Sequence, residues 1–393
     1  MFIKVLLLKS YTFKSRNILK LVPILSFNMI FLILGTRSEV IKLSSLIREL
    51  TKRKITFKTI HTGQHDTLNL MNSLELPEPN YYLGKSLRNK WSKSKIAPFL
   101  ALIWGFSVFL KLRKIFKKEK PKIIVLNGNT MAVPISCFAS KSILKSKTKI
   151  SHLESGIRGK TTKAFFCDLL YIIGDYFSDI LITFDRAAYE MLKSHYTNKK
   201  VVFSGDIKKD IISNILINNQ FERKEEFITI NIVRSLSNKE DIRKFYEILF
   251  HIKGNIALIL NPKIKQLFIK YDYSSKIRKL ENIKILDSLN YLEFLKVMLK
   301  SKLIITDSGG VQSECVLLKI PCIVLNDFAS YPELEKKGLI KVTSLNKNKI
   351  LNIIDDINNK GVYYQLIKNS DYGKDMYPTN TIIKTLQEGL LLH

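Results

Sequence analysis

The sequence predicts an α/β protein made of two doubly wound domains, each a parallel sheet with helices on both faces, facing each other across a central cleft. Three observations predict it. Short apolar runs rich in Ile, Val and Leu alternate with amphipathic stretches along the whole chain, which is the pattern of βα units. One polar, charged stretch, Asn218–Glu226, separates these units into two series. Many of the runs end in polar turns containing glycine, at the strand ends where such sheets hold ligands.

The first run, Ile30–Leu34, is closed by Gly35, and Val40–Leu50 follows with apolar residues at helical spacing. Thr56–His61, Ile123–Leu126, Lys149–Leu153, Ile180–Thr183 and Val201–Phe203 read as further strands, with Ala187–His195 a helix before the last. The second series reads Ile228–Ile232, Ile256–Leu260, Ile283–Leu286, Leu303–Thr306, Cys322–Leu325 and Ile340–Val342. Its helices are Lys239–His251, Tyr291–Lys300 and Val311–Leu318. Runs this short and this apolar suit strands buried on both faces. The expected organisation is an extension over 1–28, one domain over 29–217, a second over 227–370, and a terminal helix over 371–393 that packs back on the first domain.

Composition narrows the function. With 46% hydrophobic and 25% charged residues over 393 positions, the chain can bury a core, and a mainly disordered or collagen-like chain is excluded. Four cysteines without a CxxC pair and six histidines speak against a disulfide scaffold or a Cys/His zinc module. No carboxylate or histidine cluster has metal-ligand spacing, so no metal or cofactor is expected. The net charge of +30 suits anionic partners in general. No aromatic-basic recognition motif is present, so nucleic acid ranks last among them.

Residues 1–28 join a basic stretch, Lys9–Lys20, to an apolar run broken by Pro23 and Asn28. No small-residue cleavage site follows, so a signal peptide fits poorly, and Met29 reads as the start of the fold. Ile96–Leu112 is apolar and runs directly into Arg113, Lys114, Lys117, Lys118, Lys120 and Lys122. Two readings apply: a helix buried in an α/β layer, or a segment over 96–122 that touches a membrane surface peripherally.

The sharpest local motif is LIITDSGGVQSE, Leu303–Glu314. An apolar strand ends at Asp307, Ser308-Gly309-Gly310 turn, and a helix begins. Such a turn lets backbone come close to a ligand and aims free N–H groups at an anion. Glu314, one helical turn in, is placed for ribose hydroxyls. An ordinary βα turn with a capping serine would look the same. The motif is neither GxGxxG nor a P-loop. ILGTRSEVIK puts Arg37 and Lys42 at the first strand end. Thr62-Gly63-Gln64-His65, Asn127-Gly128-Asn129-Thr130, His152–Arg158 and Ser204-Gly205-Asp206 follow at later strand ends.

In this order, GTRSEVIK, TGQH, HLESGIR, ILDSLNYLEFLKVM, TDSGGVQSE and ASYPELEKKG resemble the UDP-N-acetylglucosamine 2-epimerase family over about residues 29–370. The resemblance implies two Rossmann-like domains of the glycosyltransferase-B type with a UDP-sugar in the cleft. It implies that Arg37, Lys42 and Gln64 lie on the N-terminal side of the ligand. Phe294 would contact the uracil, Ser308, Gly309 and Gly310 the diphosphate, and Glu314 the ribose. It also implies a cytoplasmic enzyme serving surface-polysaccharide synthesis, with a homodimer as one form. The implied reaction eliminates UDP across C1–C2 to a 2-acetamidoglucal and re-adds it with inversion at C2, which needs placed acids and bases.

The acid/base positions depart from that pattern. The family's HGDT aspartate falls on Asn129, while the glutamate of its HVEAGLR motif is kept as Glu154. Its PEExNR motif is absent, and KAFFCDLL leaves Cys167 or Asp168 near the expected glutamate. Its THRxEN histidine falls on Val233 with Arg234 kept, a second histidine becomes Ile259, and the arginine expected near Asn326 is missing. Glu154, Asp168 and Asn129 are therefore the candidate catalytic positions, with Asp206 and His65 as substitutes. A UDP-sugar-dependent glycosyltransferase and a binding homologue without catalysis remain alternatives.

Overall fold

The computed structural model describes residues 29–84, 97–144, 147–158, 165–219 and 224–391. The 1–28 extension, Ile96, the side chain of Cys167 and the middle of the Asn218–Glu226 stretch lie outside the described residues.

Seven parallel strands form the first sheet: β1 Ile30–Leu34, β2 Phe57–His61, β3 Tyr81–Tyr82, β4 Ile123–Asn127, β5 Lys149–Leu153, β6 Ile180–Thr183 and β7 Lys200–Phe203. Their order is β3-β2-β1-β4-β5-β6-β7. Six parallel strands form the second: β8 Phe227–Ile232, β9 Ile256–Leu260, β10 Ile283–Leu286, β11 Ser301–Thr306, β12 Cys322–Val324 and β13 Lys341–Val342, ordered β10-β9-β8-β11-β12-β13. The strand order reverses between β1 and β4 in one sheet and between β8 and β11 in the other. Crevices for ligands open at such points, beyond the carboxyl ends of the strands. They coincide with the turns at Gly35 and Asn127–Thr130, and at Val233 and Asp307.

Strand side chains alternate between two cores, as the pleat requires. Ile30, Leu32 and Leu34 face helix Arg37–Lys52, helix Lys208–Asn219 and the C-terminal helix Pro378–Leu391, which lies on the first sheet. Phe31 and Ile33 face helix Ala97–Glu119 and helix Ala132–Leu144. Thr36 caps helix Arg37–Lys52 through a capping box with Glu39, which satisfies two N–H groups the helix cannot bond itself.

Helix Ala97–Glu119 bears out the α/β-layer reading of its segment on one side only: that side packs on the sheet and the other is exposed. It is not buried all round. Trp104, Val108, Leu112 and Phe116 pack into the core beneath β1 and β4, each worth about 1.5–3 kcal/mol of burial, while Phe99, Leu102, Ile103, Phe106 and Leu110 face outward. The sheet covers only one side, and no described element lies over the other. Among the described residues no helix is long and apolar enough to cross a membrane.

Candidate active site in the interdomain cleft

Two cavities open between the domains. The smaller, about 440 Å³, is lined from the first domain by Arg37, Ser38, Ile41, Lys42 and Lys208. From the second it is lined by the strand-end residues Asn231, Val233, Ile259 and Asn261, and by Tyr291, Phe294, Ser308, Gly310 and Glu314. Of the eight expected binding residues, Arg37, Lys42, Phe294, Ser308, Gly310 and Glu314 line it. Gln64 and Gly309 do not. Gln64 stands beside Gly35 on the β2 turn, and Gly309 packs against Ser330, where an added methyl would come within 2.5 Å of the Ser330 Oγ. A methyl on Gly310 would meet nothing nearer than 4.0 Å, so at Gly310 the protein itself leaves room.

Helix Gly309–Leu317 presents its N-terminus to this cavity. Ser308 makes no side-chain cap bond to it, contrary to the ordinary capped-turn reading, so the first N–H groups stay available to an anion. Beneath the turn, the Asp307 carboxylate accepts from the backbone N–H of Val233 (2.7 Å), Arg234 (2.5 Å) and Ser235 (2.6 Å). That holds the β8 turn against the β11 turn. Glu314 is buried and accepts from the Tyr291 hydroxyl at 3.3 Å. Burial raises its carboxyl above the ordinary range against the pull of Lys208, and Asp206 raises it further.

The larger cavity, about 1120 Å³, also lies between the domains. Asn129, Arg158, Asp168 and Tyr171 line it from one domain, and Arg234, Asp241, Lys244, Asn326 and Ser330 from the other. Asn129 and Asp168 therefore share one space. Glu154 lines neither cavity; it is buried beside Gly128, in the left-handed region at φ 60°. Its carboxylate pairs with Lys42, which the sequence had assigned only to the ligand, and faces the Tyr331 hydroxyl at 3.5 Å. His152 of HLESGIR is a brace. Its ring nitrogens lie 2.8 Å from Asp175 Oδ1 and 2.8 Å from the Gly128 carbonyl, which ties the Asn129 turn to helix Phe165–Phe177. Burial works against the Asp175 charge, but His152 and Arg158 hold its carboxyl below the ordinary range.

Sequence reasoning missed three residues here. Lys208 is buried, donates to the Gly310 carbonyl at 2.8 Å and also to Ser313 Oγ, and lies 3.7 Å from Asp206. Burial opposes its charge, yet Asp206, Glu314 and Glu154 hold it above the ordinary lysine range. Glu39, inside GTRSEVIK, accepts from Thr130 Oγ1 at 2.7 Å beside Asn129. Burial pushes its carboxyl up to about 7, against hydrogen bonds from Thr130 and Thr36. Tyr331 was visible only as part of ASYPELEKKG. Glu39 could have been flagged as an acid at the first turn of a helix that opens on the cleft. Nothing distinguishes Lys208 from its neighbour Lys209 in the sequence. Among the described residues no group of three or more His, Cys, Asp or Glu could hold a metal ion.

Two facing Rossmann-like domains with a nucleotide-sized cavity at the switch point define a protein of the glycosyltransferase-B fold class. The family model described as UDP-N-acetylglucosamine 2-epimerase matches residues 48–387, and the chain belongs to that family. It is 28% identical over 355 residues to the UDP-N-acetylglucosamine 2-epimerase of Methanocaldococcus jannaschii, covering 84% of this chain and 92% of that protein. A Methanococcus maripaludis enzyme of the same name is 29% identical over 324 residues, covering 77% and 84%. The crystal structure of the M. jannaschii enzyme in complex with UDP-GlcNAc and UDP superposes with a TM-score of 0.71 at 25% identity, over 92% of this chain and 99% of that one. The Neisseria meningitidis enzyme bound to UDP-GlcNAc gives 0.75 at 20% identity, over 92% and 100%, and shares the fold.

Proposed function

We propose that the chain is a sugar-nucleotide 2-epimerase that interconverts UDP-GlcNAc and UDP-ManNAc in this cleft. One observation carries the reading. A cavity flanked by Arg37, Lys42 and the open N-terminus of helix Gly309–Leu317, and a second that holds Asn129 and Asp168, both open between the domains, with Glu154 buried beside Gly128 and paired with Lys42. Cations and N–H donors meet a diphosphate on one side, and proton-bearing groups meet a sugar on the other.

In the proposed reaction a carboxylate takes the C2 proton, the C1–O bond to UDP breaks, and the electron pair forms the C1=C2 bond of a 2-acetamidoglucal. UDP then re-adds at C1 while C2 is protonated from the opposite face. Glu154 is the proposed base, and Asp168 the partner that returns a proton. Arg37, Lys42, Ser308 and Gly310 hold the diphosphate, Glu314 the ribose and Phe294 the uracil. Gln64 and Gly309 support the turns from behind.

A second reading, UDP-sugar binding or glycosyl transfer without epimerisation, is favoured by one fact: Asn129 offers an amide and Val233 no proton at all. Each missing general acid or base typically costs about 10²–10⁴ in rate, so epimerisation here is slow. Proton NMR of a mixture with UDP-GlcNAc decides between them. A growing UDP-ManNAc anomeric signal is expected, and an unchanged spectrum in the presence of tight UDP binding would favour the second reading. The enzyme is read as cytoplasmic.

A further inference from the structure

Two side chains assigned to different halves of the site are bound to each other. The ammonium of Lys42, on helix Arg37–Lys52, donates to Oε2 of Glu154, the residue that follows β5. Lys42 also lines the smaller cavity, together with Arg37, Ser308 and Gly310. One lysine therefore serves both the proposed diphosphate site and the proposed base. A second anion brought to the same ammonium repels the first, so the two compete for it.

Glu154 is placed for that pair and for little else. Its backbone is left-handed, φ 60°, which a residue other than glycine adopts only at a cost. Its Oε2 lies over Gly128, where an added methyl would come within 3.0 Å of it. Its Oε1 faces the Tyr331 hydroxyl at 3.5 Å, too long for a strong hydrogen bond. The carboxylate is buried, and Lys42 is its one close hydrogen-bond partner among the described residues. Lys208 feels its charge but is committed to the Gly310 carbonyl and Ser313 Oγ, so it is not free to replace Lys42. Arg37, the other cation of the β1 turn, is exposed instead.

We propose that Lys42 couples the two halves of the site: a diphosphate in the smaller cavity draws Lys42 away from Glu154, and the carboxylate becomes a working base only when the sugar nucleotide is bound. The proposal rests on the function proposed above and adds an order of events to it. While Lys42 is paired with Oε2, an N–H donor occupies the oxygen that would take the C2 proton. Once Lys42 turns to the diphosphate, the carboxylate keeps only the long Tyr331 contact, and a buried charge without a close partner is costly until it takes a proton. Part of the binding energy of the phosphates, which do not react at C2, then goes into activating the base that does.

The test is calorimetry with UDP and with uridine, which lacks the diphosphate, on the wild-type chain and on variants of the pair. Coupling between two sites is reciprocal, so a carboxylate that loses Lys42 to the diphosphate must itself weaken UDP binding. Glu154→Gln is expected to bind UDP about tenfold more tightly than wild type, the scale of one charge-assisted hydrogen bond, with uridine affinity unchanged. The gain should vanish in Lys42→Met/Glu154→Gln compared with Lys42→Met. It should persist in Arg37→Met/Glu154→Gln compared with Arg37→Met. A merely structural role for the pair would move UDP and uridine together. Glu154→Ala removes the same charge and serves if Glu154→Gln does not fold. UDP affinity that is unchanged or lower without the carboxylate, or a gain that survives Lys42→Met, would overturn the proposal and leave the UDP site standing. No UDP binding by the wild-type chain would overturn the proposed function along with it.

Discussion

The Nζ of Lys208 lies 2.8 Å from the carbonyl oxygen of Gly310, so a buried lysine of one domain grips the glycine turn of the other. Three carboxylates surround it, those of Asp206, Glu314 and Glu154. The pairing joins the two domains where the nucleotide is proposed to sit. Removing one partner of a buried, hydrogen-bonded charge cluster typically costs about 3–5 kcal/mol, because the rest stays buried without compensation. Lys208→Met should therefore lower unfolding free energy in urea by about that much, and small-angle scattering should show a more open chain. Unchanged stability and an unchanged radius of gyration would mean that the contact carries no closing force.

Gly309 and Gly310 are adjacent and should fail differently. Gly309→Ala drives a methyl into Ser330 and should lower stability by about 1–3 kcal/mol. Gly310→Ala places its methyl in open space, so thermal unfolding should match the parent. UDP affinity should fall about tenfold, or 1.4 kcal/mol. Calorimetry with UDP on both variants separates the two effects.

Glu314→Ala should weaken UDP binding by more than about tenfold. Its carboxyl is held by the Tyr291 hydroxyl and lines the cavity, so Tyr291→Phe should cause a smaller loss of the same kind. Calorimetry that finds full affinity in Glu314→Ala would remove Glu314 from the proposed site.

Glu39 makes stability depend on pH. In the fold its carboxyl keeps its proton up to about pH 7, against 4.5 as an ordinary carboxyl. Between those values the folded state binds more protons than the unfolded one, so this group costs stability as pH rises, and its contribution is flat above about 7. The stability of Glu39→Gln relative to the parent should therefore grow by about 3 kcal/mol between pH 5 and 8. Urea titrations at both pH values check it, and a difference that does not move with pH would contradict the burial argument.

Much of the fold was legible because its strands are short apolar runs closed by polar turns. Ile30–Leu34, Lys149–Leu153, Ile256–Leu260 and Ile283–Leu286 coincide with the strands. β3, only Tyr81–Tyr82, is too short to show a period. Helix Ala132–Leu144 is apolar nearly all round and gives no helical stripe to read. Around the cleft, Arg37, Lys42 and Glu314 could be named because they follow glycine turns in characteristic strings. The Lys42–Glu154 pair and the Lys208–Gly310 contact could not, since each joins residues about a hundred positions apart. Only the docking of two domains brings the second pair together. The outward face of residues 97–119 was half legible. Its apolarity was plain, but which side the sheet would cover depends on the phase of the helix against β1 and β4.

The most direct test of the central claim is incubation with UDP-GlcNAc in deuterated water, followed by NMR at C2. Epimerisation by removal of the C2 proton must carry solvent deuterium to that carbon. The account predicts slow incorporation into both UDP-GlcNAc and UDP-ManNAc, abolished by Glu154→Gln while UDP still binds. No deuterium at C2 in the wild-type chain, with UDP bound in the cleft, would contradict it.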